Sequence, residues 1–150
     1  MGAGYEKILI AIDASDEAED VLRTATELDP RQLEKFRVIT VIPPVLGGIG
    51  GVDGMSFAAS WPLHDLEAQL QREITANIRE RIAQFGIAPD QAAVAVGRPA
   101  SEIRAYADKI AADLIVIGSH GRHGIAGILG STANGVVHGT ARDVLVVRVG

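Results

Sequence analysis

The chain has 150 residues, 47% hydrophobic and 22% charged, which fits one globular domain with a sizeable core. It has no cysteine and a net charge of −5, which excludes a disulfide framework and a thiolate metal site and argues against nucleic acid or an anionic membrane as partner. No apolar run reaches the roughly 20 residues that span a bilayer. The opening MGAGYEK has no signal-type apolar core, so a cytoplasmic protein is expected.

Lys7 to Asp13, KILIAID, reads as a buried strand closed by an aspartate. Ser15 or Asp16 is placed to cap a helix over about Glu17 to Leu28, with Ala18, Val21, Leu22, Ala25 and Leu28 as its apolar side. Phe36 to Ile42 is a second strand, stopped by Pro43-Pro44. Val45 to Trp61 contains five glycines and reads as a loop, with Phe57 and Trp61 as a loop anchor or interface contact. The longest helix is predicted from Pro62 to about Phe85. Its stripe is Leu63, Leu66, Leu70, Ile74, Ile78, Ile82 and Phe85, and Gly86 is its stop.

Ala92 to Val96 is a third, weaker strand. Pro99 opens a helix whose inner face is Ile103, Tyr106, Ala107 and Ile110. Leu114 to Ile117 is the fourth strand, Ser131 to His138 a short helix, and Val144 to Val149 the last strand. Strands alternating with helices predict an α/β domain whose parallel sheet is covered on both faces. Ligands of such sheets sit beyond the strand carboxyl ends, where strand order reverses. Asp13 and Gly118 both stand at such ends and share one crevice if the first and fourth strands are neighbours.

The segment IVIGSHGRHGIAGILGST, Ile115 to Thr132, carries the strongest functional signal. Glycines at 118, 121, 124, 127 and 130 follow a buried strand and lead through Ser131 and Thr132 into a helix. Glycine lets backbone N–H groups approach a phosphate, and the helix start adds its dipole. His120 and His123 lie in this loop, but no carboxylate cluster supports a metal reading; a phosphate contact by His120 or Arg122 is favoured. Ser131 is either a plain helix cap or a phosphate ligand, and His138 suits the negative end of its helix. Gly130→Val is expected to damage ligand binding more than stability.

The segments KILIAIDASDEAEDVL, GRPASEI, ADLIVIGSHG and STANGVVHGTARDVLVVRV occur in an order that resembles the universal stress protein family over essentially the whole chain. The resemblance implies a single-domain, open, parallel five-stranded sheet of order 3-2-1-4-5, of the adenine nucleotide alpha-hydrolase-like type. Many members bind ATP through glycine, two residues, glycine, nine residues, glycine, then serine or threonine. Gly118 and Gly121 match the first two glycines. Gly130-Ser131 match the last pair at a spacing of eight; a spacing of nine puts Ser131-Thr132 there instead.

The resemblance also implies Asp13 on the ribose, where a carboxylate accepts two hydrogen bonds, and the backbone of Val41 on the adenine. Ala11, Ile12 and Ile117 complete the nucleotide-binding set. Gly118, His120, Gly121, Arg122, Gly130, Ser131 and Thr132 are expected near the phosphates. The implied ligand is ATP, or alternatively AMP or ADP, with Mg2+ as companion of ATP. The implied partner is a second copy, bound through Val144, Leu145, Val146, Val147, Arg148 and Val149; an apolar edge strand invites such pairing. The leading reading is a nucleotide-binding regulatory protein of the stress response. A weak ATP hydrolase is a second reading, although no Walker lysine motif occurs. A dimeric interaction module that binds no nucleotide is a third.

Overall fold

Five apolar runs become five parallel strands in the computed structural model, which describes residues 4–44, 55–120 and 128–149, with the backbone alone for 55–64. In chain order the elements are β1 (Ile8–Ala11), α1 (Ala18–Glu27), β2 (Phe36–Ile42), α2 (Met55–Ala83), β3 (Ala92–Val96), α3 (Pro99–Lys109), β4 (Leu114–Gly118), α4 (Ser131–Gly139) and β5 (Asp143–Val147). The strand order is β3-β2-β1-β4-β5, as the resemblance implied. β1 lies between β2 and β4, with Ala11 opposite both Ile39 and Ile117.

Strand alternation sorts the core into two layers. Ile8 and Ile10 face α1 and α2, meeting Val21, Leu22, Ile78 and Ile82. Leu9 and Ala11 face α3 and α4, meeting Ile103, Ala107, Ala133 and Val136. Fully burying an aliphatic side chain of this size is worth about 1.5–3 kcal/mol. That explains why the two central strands are apolar at every position and why both layers are needed. Beyond β1 the chain stays pinned to the sheet: Ile12 N–H donates to the Ile39 carbonyl at 3.0 Å, and the buried Thr40 hydroxyl donates to the Ile12 carbonyl at 3.0 Å.

Several boundaries differ from the sequence expectation. Glu17, not Ser15 or Asp16, stands at the cap of α1 and makes no side-chain capping bond. The helix has turned away by Leu28, which is 48% exposed and not part of the apolar side. The long helix starts at Met55 and runs through Pro62, so the second half of the expected loop is helical. Proline suits a first turn and is costly in a helix interior, which is why it read as a start. Among the described side chains, the core part of the α2 stripe is its far end: Ile78 and Ile82 are buried, with Ile74 packed against them, whereas Leu66 is 53% exposed; the Leu63 side chain lies outside the described residues. Gly86 does end the helical path, at φ +82°, and Ile87 N–H reaches back to the Ile82 carbonyl. The last strand is Asp143–Val147, so Arg148 and Val149 lie beyond it.

Candidate functional site

The chain leaves β1 and its neighbour β4 at the same end of the sheet, and the strand order reverses between them. A cavity of about 470 Å³ opens there. Its size falls within the range of about 300–1,000 Å³ usual for small-molecule sites. Ala11, Ile12, Asp13, Val41, Ile117, Gly118, His120, Gly130, Ser131 and Thr132 all line it. Gly121 and Arg122, and with them His123, lie outside the described residues.

One wall is the turn from β1 into α1. Asp13 is exposed at the cavity, and its Oδ1 accepts from both the backbone N–H (2.9 Å) and the hydroxyl of Ser15. The carboxylate therefore closes a local turn and does not cap α1. Its Oδ2 accepts no hydrogen bond among the described residues. Arg81 of α2 fixes the same turn from outside, donating to the Ser15 carbonyl at 2.8 Å.

The other wall is the passage from β4 into α4. Gly130 is the cap residue of α4 and makes its turn with backbone alone: its N–H donates to the Ser119 carbonyl at 2.6 Å. Ser131 is the first helical residue, not the cap, and it is exposed. The hydroxyls of Ser131 and Thr132 make no hydrogen bond among the described residues. They stand beside the first amides of α4, the groups a helix leaves open to an anion. His120 brings the described imidazole of this cavity, with Nδ1 3.3 Å from the Ser119 hydroxyl.

Glycine at 130 has a reason other than the one expected from the sequence. A Cβ there meets His120 Cα at 3.0 Å and the Ser119 carbonyl oxygen at 3.3 Å. It strikes the turn that shapes the cavity, so a larger residue disturbs the fold there. The same close approach explains why the glycine falls at 130. Gly118 is similarly packed, with Val21 3.2 Å and Val149 3.5 Å from the place of its missing Cβ.

Nine lining residues lie outside the expected nucleotide-binding set: Ser15, Glu17, Ala18, Val21, Pro43, Pro99, Ile103, Ala133 and Val149. Pro43 and Pro99 follow the ends of β2 and β3, and that position was their available signal. Val149 read as part of an edge strand. The strand stops earlier, and the tail folds in, buried, where its N–H donates to the Ser119 hydroxyl at 3.2 Å. Glu17 was read only as a helix start. A shifted titration occurs away from the site, at Tyr5: its hydrogen bond to Asp143, with slight desolvation and the charges of Asp143 and Asp113, raises the phenol above its ordinary value. Among the described residues no three acidic, histidine or cysteine groups gather to hold a metal alone, and no helix is long and apolar enough to cross a membrane.

Residues 4–148 match the model of the universal stress protein family. Universal stress protein A homolog 2 of Coxiella burnetii is 35% identical over 147 residues, covering 97% of this chain and 96% of that one. Among solved structures, hypothetical protein MJ0577 superposes with a TM-score of 0.73 at 26% identity, covering 96% of each chain. A universal stress protein solved in complex with cAMP superposes with a TM-score of 0.57 at 24% identity, covering 97% of this chain and 98% of that one.

Proposed function

Because the chain belongs to the universal stress protein family, we propose that the cavity is an adenine-nucleotide site and that the protein is a regulator responding to its occupancy. One observation carries this reading: a carboxylate whose Oδ2 has no partner among the described residues and a glycine-serine-threonine helix start line one cavity at adjacent strand ends. Asp13 takes the ribose hydroxyls. The half-buried strand backbone at Val41 presents its polar groups to the base edge. The amides of α4, with Ser131 and Thr132, take the phosphates. ATP is the proposed ligand, with Mg2+ accompanying it and AMP or ADP as competitors. The related protein in complex with cAMP supports an adenine-nucleotide ligand in general and leaves the phosphate number to experiment.

Three or four phosphate hydrogen bonds at roughly 1 kcal/mol each, with burial of the base, give about −7 to −8 kcal/mol, a micromolar dissociation constant. Calorimetric titration with ATP, ADP, AMP and cAMP, with and without Mg2+, tests it. Absence of binding at millimolar nucleotide overturns the reading in favour of a dimeric interaction module.

We also propose a cytoplasmic homodimer through β5, on the evidence of that strand's edge position. The Val147 carbonyl accepts from Ser119 N–H at 2.8 Å, so Val147 addresses the sheet interior. N–H and C=O of one residue point the same way in a strand and the next residue points oppositely. Val146 therefore directs its N–H outward, where a twofold-related copy can use it. Val146→Pro is expected to yield a folded monomer in analytical ultracentrifugation, whereas Val147→Pro disturbs the fold itself. A wild-type monomer at tens of micromolar sinks the interface.

A further inference from the structure

β3 is the other edge of the sheet, and each of its residues is half-buried, whereas β1 is buried throughout. The two faces of β3 are taken. Ala92 packs in the layer of α1 and α2, and Ala93 and Ala95 pack in the layer of α3 and α4. Its outer rim is different. Gly97 N–H donates to the Ile42 carbonyl at 2.9 Å, so Ala93, Ala95 and Gly97 turn their peptide groups toward β2. Val94 and Val96 turn theirs outward, where they meet no partner among the described residues. Ala92 N–H is bent back onto the Pro89 carbonyl, which leaves the Ala92 C=O on the same outer rim.

A rim of unpaired N–H and C=O groups invites another strand, and proteins usually blunt it with charge, proline or a bulge. The run AAVAV carries none of these. It is also built to fit a second copy of itself. Antiparallel pairing centred on Val94 sets Val94 against its own counterpart, Ala93 against Ala95, and Ala92 against Val96. Val94 then exchanges N–H···O=C bonds with its counterpart, and Val96 N–H of each copy donates to the Ala92 carbonyl of the other. The same register brings Asp90 of each copy alongside Arg98 of the other. Both residues are exposed, and neither side chain has an ion-pair partner among the described residues. Opposite charges at both ends of a contact fix its register and direction. Parallel pairing in register would set like charges side by side.

We propose that the β3 edge is a self-association surface, joining two copies antiparallel through Ala92–Val96 with Asp90 and Arg98 as reciprocal ion pairs at its ends. It is separate from the β5 edge and independent of the nucleotide reading. Alanine buries little apolar area, so this contact is weaker than one through the valine-rich β5. A twofold contact at each of two opposite edges does not close, so copies already paired through β5 grow into longer chains through β3.

The test is sedimentation of the wild-type protein from tens to hundreds of micromolar. Whatever species is present at the lower concentration, its mass should at least double at the higher one. Asp90→Arg and Arg98→Asp, each of which sets like charges together at both ends, should each abolish the rise. The double variant, with the charges exchanged, should restore it. Val94→Pro removes an outward N–H that β2 does not use, so it too should abolish the rise, with melting close to wild type. Amide exchange followed by nuclear magnetic resonance should slow severalfold at Val94 and Val96 as concentration increases, with Ala93 and Ala95 unchanged. A wild-type mass that stays constant overturns the inference and leaves the β5 contact and the nucleotide reading standing. So does a rise that both single charge reversals leave intact, or one that the double variant fails to restore. A rise in mass without slower exchange at Val94 and Val96 places the contact elsewhere and overturns the inference as well.

Discussion

The two walls of the cavity are built from the same unit, a buried strand that hands over to a helix, yet they are held differently. The β1–α1 turn adds side-chain ties to its main-chain bonds: Asp13 on Ser15, and Arg81 on the Ser15 carbonyl that also accepts from Ala18 N–H. The β4–α4 turn is fixed by main chain, Gly130 N–H on the Ser119 carbonyl and Asn134 N–H on the Gly130 carbonyl. The first wall brings acids to the cavity and the second brings amides and hydroxyls. A wall locked by side chains can change its chemistry one residue at a time and keep its shape. A wall locked by main chain tolerates most side chains but depends on glycine where two backbones touch.

Gly130→Val strikes the main-chain wall and has the largest expected effect. Its Cβ lands 3.0 Å from His120 Cα, so the turn must open. Overpacking of this kind costs about 1–3 kcal/mol, which lowers the melting temperature by roughly 3–10 °C in a domain of this size. ATP affinity should fall beyond calorimetric detection. A variant that binds ATP as wild type does removes the main-chain wall from the site.

Asp13→Ala strikes the side-chain wall. It should weaken ATP about tenfold, the equivalent of about 1.4 kcal/mol. Because Asp13 is exposed and its described hydrogen bonds stay within one turn, scanning calorimetry should show the fold intact. A large loss of stability with unchanged affinity reverses the comparison and makes this turn structural.

Ser131→Ala is the finest probe. Ser131 is exposed, and Gly130 occupies the cap, so the substitution removes neither a cap nor a packed group. Stability should stay within about 0.5 kcal/mol. ATP affinity should drop only a few-fold, by one hydrogen bond of roughly 1 kcal/mol. No change in affinity would mean that the amides act without this hydroxyl.

The sheet was legible because both of its faces are covered. Strands such as Ile8–Ala11 and Leu114–Gly118 then become apolar runs that no exposed segment imitates. Strand order was not readable from periodicity and came from the family resemblance. At the site, Asp13, Gly118, Gly130 and Ser131 were visible because strand ends and helix starts have their own residue preferences. Glu17 was hidden because a glutamate in a first helical turn is ordinary, and only the packed structure shows its oxygen sealed. Val149 was hidden for a similar reason: valine extends a strand pattern whether or not the pairing continues. The start of α2 was obscured by Pro62, whose local preference is overridden in the folded chain.

Ser119 joins three segments at one point. Its carbonyl holds Gly130, its N–H holds Val147, and its hydroxyl receives the N–H of Val149. Two of these three ties use only the peptide units on either side of the residue. Every amino acid except proline supplies them equally. Replacement at this position is therefore cheap for the architecture: most residues forfeit the hydroxyl's contacts with the carboxyl-terminal tail and with His120 Nδ1 and keep the junction of β4, β5 and α4. The junction rests on chain geometry, and only those two contacts depend on the side chain.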